Sequence, residues 1–137
     1  MANHRKKIHH LLDSIDMKLQ SLTPMLWSEN ISETIKFYVE VLGFNLEGHS
    51  EEWGWASVER DSVQIMICLP NQHLPYTKPQ FTGSLYFNVD DASSYWEQLK
   101  DKATILYPIQ DFEYGMREFA IYDCNGYILQ FGQNLEG

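Results

Sequence analysis

One order of elements occurs twice in this sequence, and that repeat limits the possible folds more than any single motif does. Residues 22–27 alternate as a strand. The run 31–42 sets Ile31, Thr34, Ile35, Tyr38, Val41 and Leu42 on one helical face and stops at Gly43, and the stretches 44–49, 53–60 and 62–69 alternate again as strands. Pro70, Pro75 and Pro79 then interrupt the chain. Beyond them 83–89 reads as a strand, Asp90-Asp91 can cap a helix over 92–102, and 104–108, 116–123 and 127–132 read as strands. The pattern is β-α-β-β-β in both halves, about 22–69 and 83–132. An internal repeat of this kind has to be found before a fold is assigned.

Length fits one domain: 137 residues bury a full core but do not suffice for two large ones. Hydrophobic residues make up 44% of the chain, which excludes intrinsic disorder. The longest apolar run, Ile65 to Leu69, falls far short of the roughly 20 residues that cross a bilayer. The net charge is −9, and the first twenty residues hold four Lys or Arg against two Asp, so the rest carries about −11. Such a body repels a phosphate backbone and argues against nucleic acid, whereas it attracts a cationic ligand. Cys68 and Cys124 form no disulfide framework and no zinc-type cluster. Residues 5–20 place Ile8, Leu11, Leu12, Ile15 and Leu19 at helical spacing, which predicts an amphipathic helix covering the body or a partner subunit. His9, His10, Asp13 and Asp16 interrupt this stretch, so it does not read as a secretory signal, and the expected compartment is the cytoplasm. The expected organisation is an N-terminal extension, 1–21, and a domain over 22–137.

Strand alternation sorts side chains into two faces. Leu22, Pro24 and Leu26, then Val63, Ile65 and Ile67, Leu85, Phe87 and Val89, Phe119 and Ile121, and Leu129 and Phe131 form an apolar set that belongs against the helices. The opposite set holds Thr23, Met25 and Trp27, Gln64, Met66 and Cys68, Ser84, Tyr86 and Asn88, Glu118, Ala120 and Tyr122, and Ile128 and Gln130. A mixed face can simply be solvated, but Trp27, Tyr86, Met25 and Met66 are large and apolar for that role, so the reading preferred is a half-open cavity.

Three motifs carry a resemblance to a known family: Ile35-Lys36-Phe37-Tyr38 followed by Val41-Leu42-Gly43-Phe44, then Leu85-Tyr86-Phe87-Asn88-Val89-Asp90-Asp91, and Arg117 through Gly126. They resemble the vicinal-oxygen-chelate superfamily (glyoxalase I, extradiol dioxygenases, fosfomycin-resistance and bleomycin-resistance proteins) over about 22–133. The bleomycin-resistance branch is the nearest in look, through Thr23-Pro24-Met25-Leu26 and Gly115-Met116-Arg117-Glu118-Phe119. The resemblance implies an α+β fold in which two βαβββ modules curl mixed sheets into a cup, and a homodimer that completes its cups from both chains.

Metal-dependent members hold an ion at positions that fall here on Thr23, near Met66, on Ser84 and on Gln130. Only Gln130 is of a type those enzymes use, so no metal, cofactor or catalytic set is expected. The five histidines, His4, His9, His10, His49 and His73, do not converge in the pattern. Cys68 reads as packing. Glu118 is the one acid or base on the cup face, with pairing to Arg117 or to a partner cation as the commoner alternative.

The function implied is non-catalytic binding of a small molecule, cationic or aromatic, as in antibiotic sequestration, by Trp27, Met25, Gln64, Tyr86, Asn88, Glu118 and Gln130. The alternatives are a metal-dependent lyase, isomerase or dioxygenase with an atypical site, and a structural dimer with a vestigial cup.

Overall fold

The computed structural model describes residues 17–71 and 76–136. Its elements are β1 (Met25–Trp27), α1 (Ile31–Lys36, continued by a π-helical turn Phe37–Val41), β2 (Asn45–Ser50), β3 (Trp55–Arg60), β4 (Val63–Cys68), β5 (Leu85–Asn88), α2 (Ala92–Leu99), β6 (Thr104–Asp111), β7 (Met116–Tyr122) and β8 (Ile128–Asn134). They form two four-stranded mixed sheets of identical connectivity, β1-β4-β3-β2 and β5-β8-β7-β6. In each sheet the first strand runs parallel to the fourth, pairing Met25 with Met66 and Tyr86 with Gln130, and the remaining pairs are antiparallel. The α+β fold of two βαβββ modules is therefore present.

Both helices begin with the same device. The Asn30 side chain accepts from the Glu33 amide at 3.1 Å, and Asp91 accepts from the Ser94 amide at 3.1 Å and its hydroxyl at 2.7 Å. The first helix widens after Lys36, where the Leu42 amide reaches back to Phe37 at 3.3 Å. It ends at Gly43, whose φ of +76° admits a glycine without strain. The Arg60 guanidinium satisfies a carbonyl freed at that end, donating to Leu42 O at 2.6 Å.

A single core joins the modules, with Tyr38, Val58, Ile65 and Ile67 from the first and Phe119, Ile121, Leu129 and Phe131 from the second. Polar contacts fix the seam. The Tyr38 hydroxyl donates to Asp123 Oδ2 at 2.7 Å, Asn125 Nδ2 to Thr34 Oγ1 at 2.9 Å, and the Tyr127 hydroxyl to the Trp27 carbonyl at 2.8 Å. Burial pushes the Asp123 carboxyl up, while the Tyr38 hydroxyl and the Tyr127 and Asn125 amides pull it down.

Three expectations change. Leu22 does not belong to the helix-side set: β1 starts only at Met25, and Leu22 is 87% exposed. The sixth strand runs past Pro108 to Asp111. Of the helix expected over 5–20, residues 5–16 lie outside the described residues, and 17–20 is irregular, exposed chain.

Candidate functional site

The open face of the second sheet gathers its polar groups on one carboxylate. Glu118 lies on β7 opposite Gly132 of β8, and β5 places Tyr86 beside Gln130. The Tyr86 ring crosses β8 above Gly132, and its hydroxyl donates to Glu118 Oε1 at 2.9 Å. Tyr114, from the β6–β7 hairpin, donates to the same oxygen at 3.0 Å. Oε2 receives the Tyr107 hydroxyl and, at 3.3 Å, the Gln130 amide. Gln130 Nε2 also donates to the Tyr107 hydroxyl at 2.9 Å, and the Ser84 hydroxyl donates to Gln130 Oε1. Glu118 is thus a carboxylate only 2% exposed that accepts three phenol protons and one amide proton.

Bulges aim Tyr107 at this cluster. The register of β6 on β7 shifts between Ile105 and Tyr107 and again between Tyr107 and Gln110, and such irregularities turn a side chain toward a chosen face. Phe112 packs edge-on to Tyr107 and stacks on Tyr114 with centroids 5.3 Å apart, which holds the hairpin ring in place. The rings nevertheless remain in reach of a ligand: Tyr86 is 39% exposed and Tyr114 62%. Burial, and after it the hydrogen bond to Glu118, pushes the Tyr107 hydroxyl up to about 12, and the same two causes raise Tyr86 and Tyr114.

The residues picked out in the sequence fall into three places. Tyr86, Glu118 and Gln130 share the cluster just described. Gln64 and Asn88 line a groove of about 450 Å³ between the two sheets, together with Ser84 and Tyr86. Met25 and Trp27 line a separate cleft of about 390 Å³ with Tyr76, Lys78, Phe81 and Tyr127, and the Trp27 ring meets Tyr76 edge-on at 5.7 Å. Glu118 does not pair with Arg117, which faces away and grips Asp111 with bonds of 2.7 and 3.1 Å. Cys68 is half-buried, and burial raises its thiol, which disfavours the thiolate. Two members of the cluster, Tyr107 and Tyr114, escaped the sequence reading. Tyr107 falls at the end of the strand expected over 104–108, next to Pro108, and Tyr114 lies in a turn with no strand alternation to place it.

A divalent metal does not fit the family positions in this chain. The Gln130 amide oxygen, which would face an ion, is engaged by Ser84, and the Thr23 hydroxyl is turned to Gln64 Oε1 at 3.4 Å. Glu118 has both oxygens covered by donors. Among the described residues no three His, Cys, Asp or Glu side chains converge.

With this geometry in view, comparison with known proteins assigns the class. The profile of the Glyoxalase/Bleomycin resistance protein/Dioxygenase superfamily matches residues 7–131, and the chain belongs to that superfamily. No curated protein matches it. Among solved structures, TioX from Micromonospora sp. ML1 is similar at a TM-score of 0.69 and 20% identity, over 85% of this chain and 100% of that one. The bleomycin-binding protein of Streptomyces verticillus, complexed with copper(II)-bleomycin, is similar at 0.63 and 20%, over 84% and 96%. A lactoylglutathione lyase from Agrobacterium tumefaciens reaches 0.66 and 12%, over 87% and 96%. At such identities the likeness concerns the fold. No described helix is long and apolar enough to cross a membrane.

Proposed function

We propose that this protein binds a small organic cation with aromatic character on the open face of its second sheet and holds it without chemical change. One observation carries the reading: the buried Glu118 carboxylate beneath the exposed rings of Tyr86 and Tyr114, with Tyr107 beside them. Three hydroxyls and one amide converge on the carboxylate, and its field adds to the negative face of each ring. A desolvated cation over such a face gains about 0.5–2 kcal/mol. The acidic body of the protein favours the same ligand sign.

Sequestration suits the cluster better than catalysis. A general base needs a lone pair free to meet the substrate proton, and both Glu118 oxygens already accept donors. Tyr107, at about 12, holds its proton far above neutral pH, and burial raises Tyr86 in the same direction. That the similar Streptomyces verticillus protein binds bleomycin agrees with a binding role.

The site is open on one side within the chain. Gln64 borders Ser84 and Tyr86 in the groove between the sheets, but no described hydrogen bond or ring contact links the Glu118 cluster to Met25 or Met66 on the first sheet. We therefore place the first-sheet face of a second copy, carrying Met25 and Trp27, over the cluster in a homodimer. The two free cysteines agree with a reducing cytoplasm.

The test is a fluorescence titration with benzyltrimethylammonium and its uncharged carbon isostere, neopentylbenzene. Saturable binding of the cation, at least about tenfold tighter than the isostere, supports the reading. Equal affinity for the two contradicts it.

A further inference from the structure

On the helix side, away from the Glu118 cluster, a cleft of about 340 Å³ opens between the modules. One wall comes from the end of α1 and the β3–β4 hairpin, the other from β5 and α2. Its apolar surface includes Leu42, Phe44, Phe87, Leu99 and Phe131. The volume falls in the range of small-molecule sites, and the apolar floor is bordered by polar side chains, Arg60, Asp61, Ser62, Asn88, Asp90 and Gln98.

Arg60 is the polar group that gives this cleft a preference. Its guanidinium is anchored on both sides, donating Nη1 to Leu42 O at 2.6 Å and standing 5.2 Å from the centroid of the Tyr95 ring. The side chain is about one-third exposed, and among the described residues Nη2 has no hydrogen bond. A guanidinium already fixed in position loses little freedom on binding a carboxylate and offers it two aligned donors. Two carboxylates stand at the rim. Asp61 lies 3.8 Å from Arg60 Nε with its side chain 84% exposed, and Asp90 lies on the opposite wall, also exposed. Water and salt screen exposed charges, whereas the partly buried cation beside the apolar floor is screened less. The cleft therefore selects an apolar chain or ring that ends in a negative group.

We propose that this cleft is a second binding site, for a small amphipathic carboxylate whose apolar body lies on Leu42, Phe87 and Phe131 and whose carboxylate meets Arg60. It is separate from the cation-binding face in place, lining and ligand sign, and each can fail without the other.

Octanoate and octylammonium, which share a chain and differ in sign, are the probes. Each is titrated into the full chain by calorimetry, with amide chemical shifts recorded. The expected result is saturable octanoate binding, shifts at Leu42, Phe87 and Leu99, and octylammonium at least about tenfold weaker. Arg60→Gln should weaken octanoate about tenfold and remove the difference between the probes. Because Arg60 also holds the end of α1, Gln98→Trp provides a variant that spares the fold: Gln98 is exposed on the α2 wall, and an indole there fills the mouth and should abolish octanoate binding. Equal binding of the two probes, shifts confined to the Tyr86 and Gln130 face, or octanoate affinity unchanged in Gln98→Trp overturns the proposal.

Discussion

Tyr86 reaches Glu118 only because residue 132 is a glycine. The tyrosine ring lies across β8 at that point, and a Cβ at 132 would stand 2.8 Å from its Cε1 and closer still to the hydroxyl. The φ of Gly132 is not in the left-handed region, so the requirement is for space, not for backbone freedom.

Gly132→Ala should therefore displace the Tyr86 ring. The expected cost is about 1–3 kcal/mol of stability, the usual range for overpacking, together with weaker binding of benzyltrimethylammonium. Denaturant melts of Gly132→Ala, Tyr86→Ala and the double variant form the check. The alanine at 132 should cost much less once Tyr86 is gone, and a purely additive double variant would separate the two residues.

The seam between modules yields a second prediction. Tyr38 is fully buried and gives its hydroxyl proton to Asp123, which Asn125 and Tyr127 also address at 2.8 and 2.9 Å through the other oxygen. Tyr38→Phe removes one donor from a buried carboxylate and should cost about 1–3 kcal/mol in urea unfolding. The cation-binding face should be untouched, with affinity for benzyltrimethylammonium unchanged.

Alkaline pH should weaken the fold through its tyrosines. Tyr107 and Tyr127 are raised to about 12 and Tyr86 is raised as well, in each case by burial first. Unfolded tyrosine titrates near 10. The folded value is the higher one, so this contribution is fully present below pH about 10 and is lost as pH climbs toward about 12. Urea midpoints measured across that window should fall, and Tyr107→Phe should flatten the fall. A midpoint independent of pH there would contradict the assigned burial.

Metal content gives a fourth. Since Ser84 engages Gln130 and both Glu118 oxygens are covered, purified protein should carry no stoichiometric zinc, nickel, iron or manganese, and a chelator should leave the thermal midpoint unchanged. About one ion per chain by elemental analysis, lost in Gln130→Ala, would reverse this.

The repeat is legible because period-two alternation, the stop at Gly43 and the break at Pro70, Pro75 and Pro79 are local signals, and the same counting puts Glu118, Tyr86 and Gln130 on one face. Alternation gives the face of a strand but not the neighbours across the fold. Trp27 therefore read as a partner of Tyr86 although β1 belongs to the other sheet. Pro108 read as the end of β6, yet β6 is an edge strand, where a missing amide proton costs no ladder bond. The bulges flanking Tyr107 leave no mark in the sequence because they arise from pairing with β7. The apolar stripe 31–42 gave one helix, and nothing in its composition signalled the change of winding at Phe37.

The central claim is that Glu118, within its tyrosine ring, selects a cation. Calorimetric titration of benzyltrimethylammonium into wild type and Glu118→Gln tests it most directly, since the substitution keeps shape and an acceptor while removing the charge. The account predicts saturable binding to wild type, at least about tenfold weaker in the variant, with the same fold by circular dichroism. Equal affinity in a folded Glu118→Gln, or no saturable binding to wild type, would contradict it.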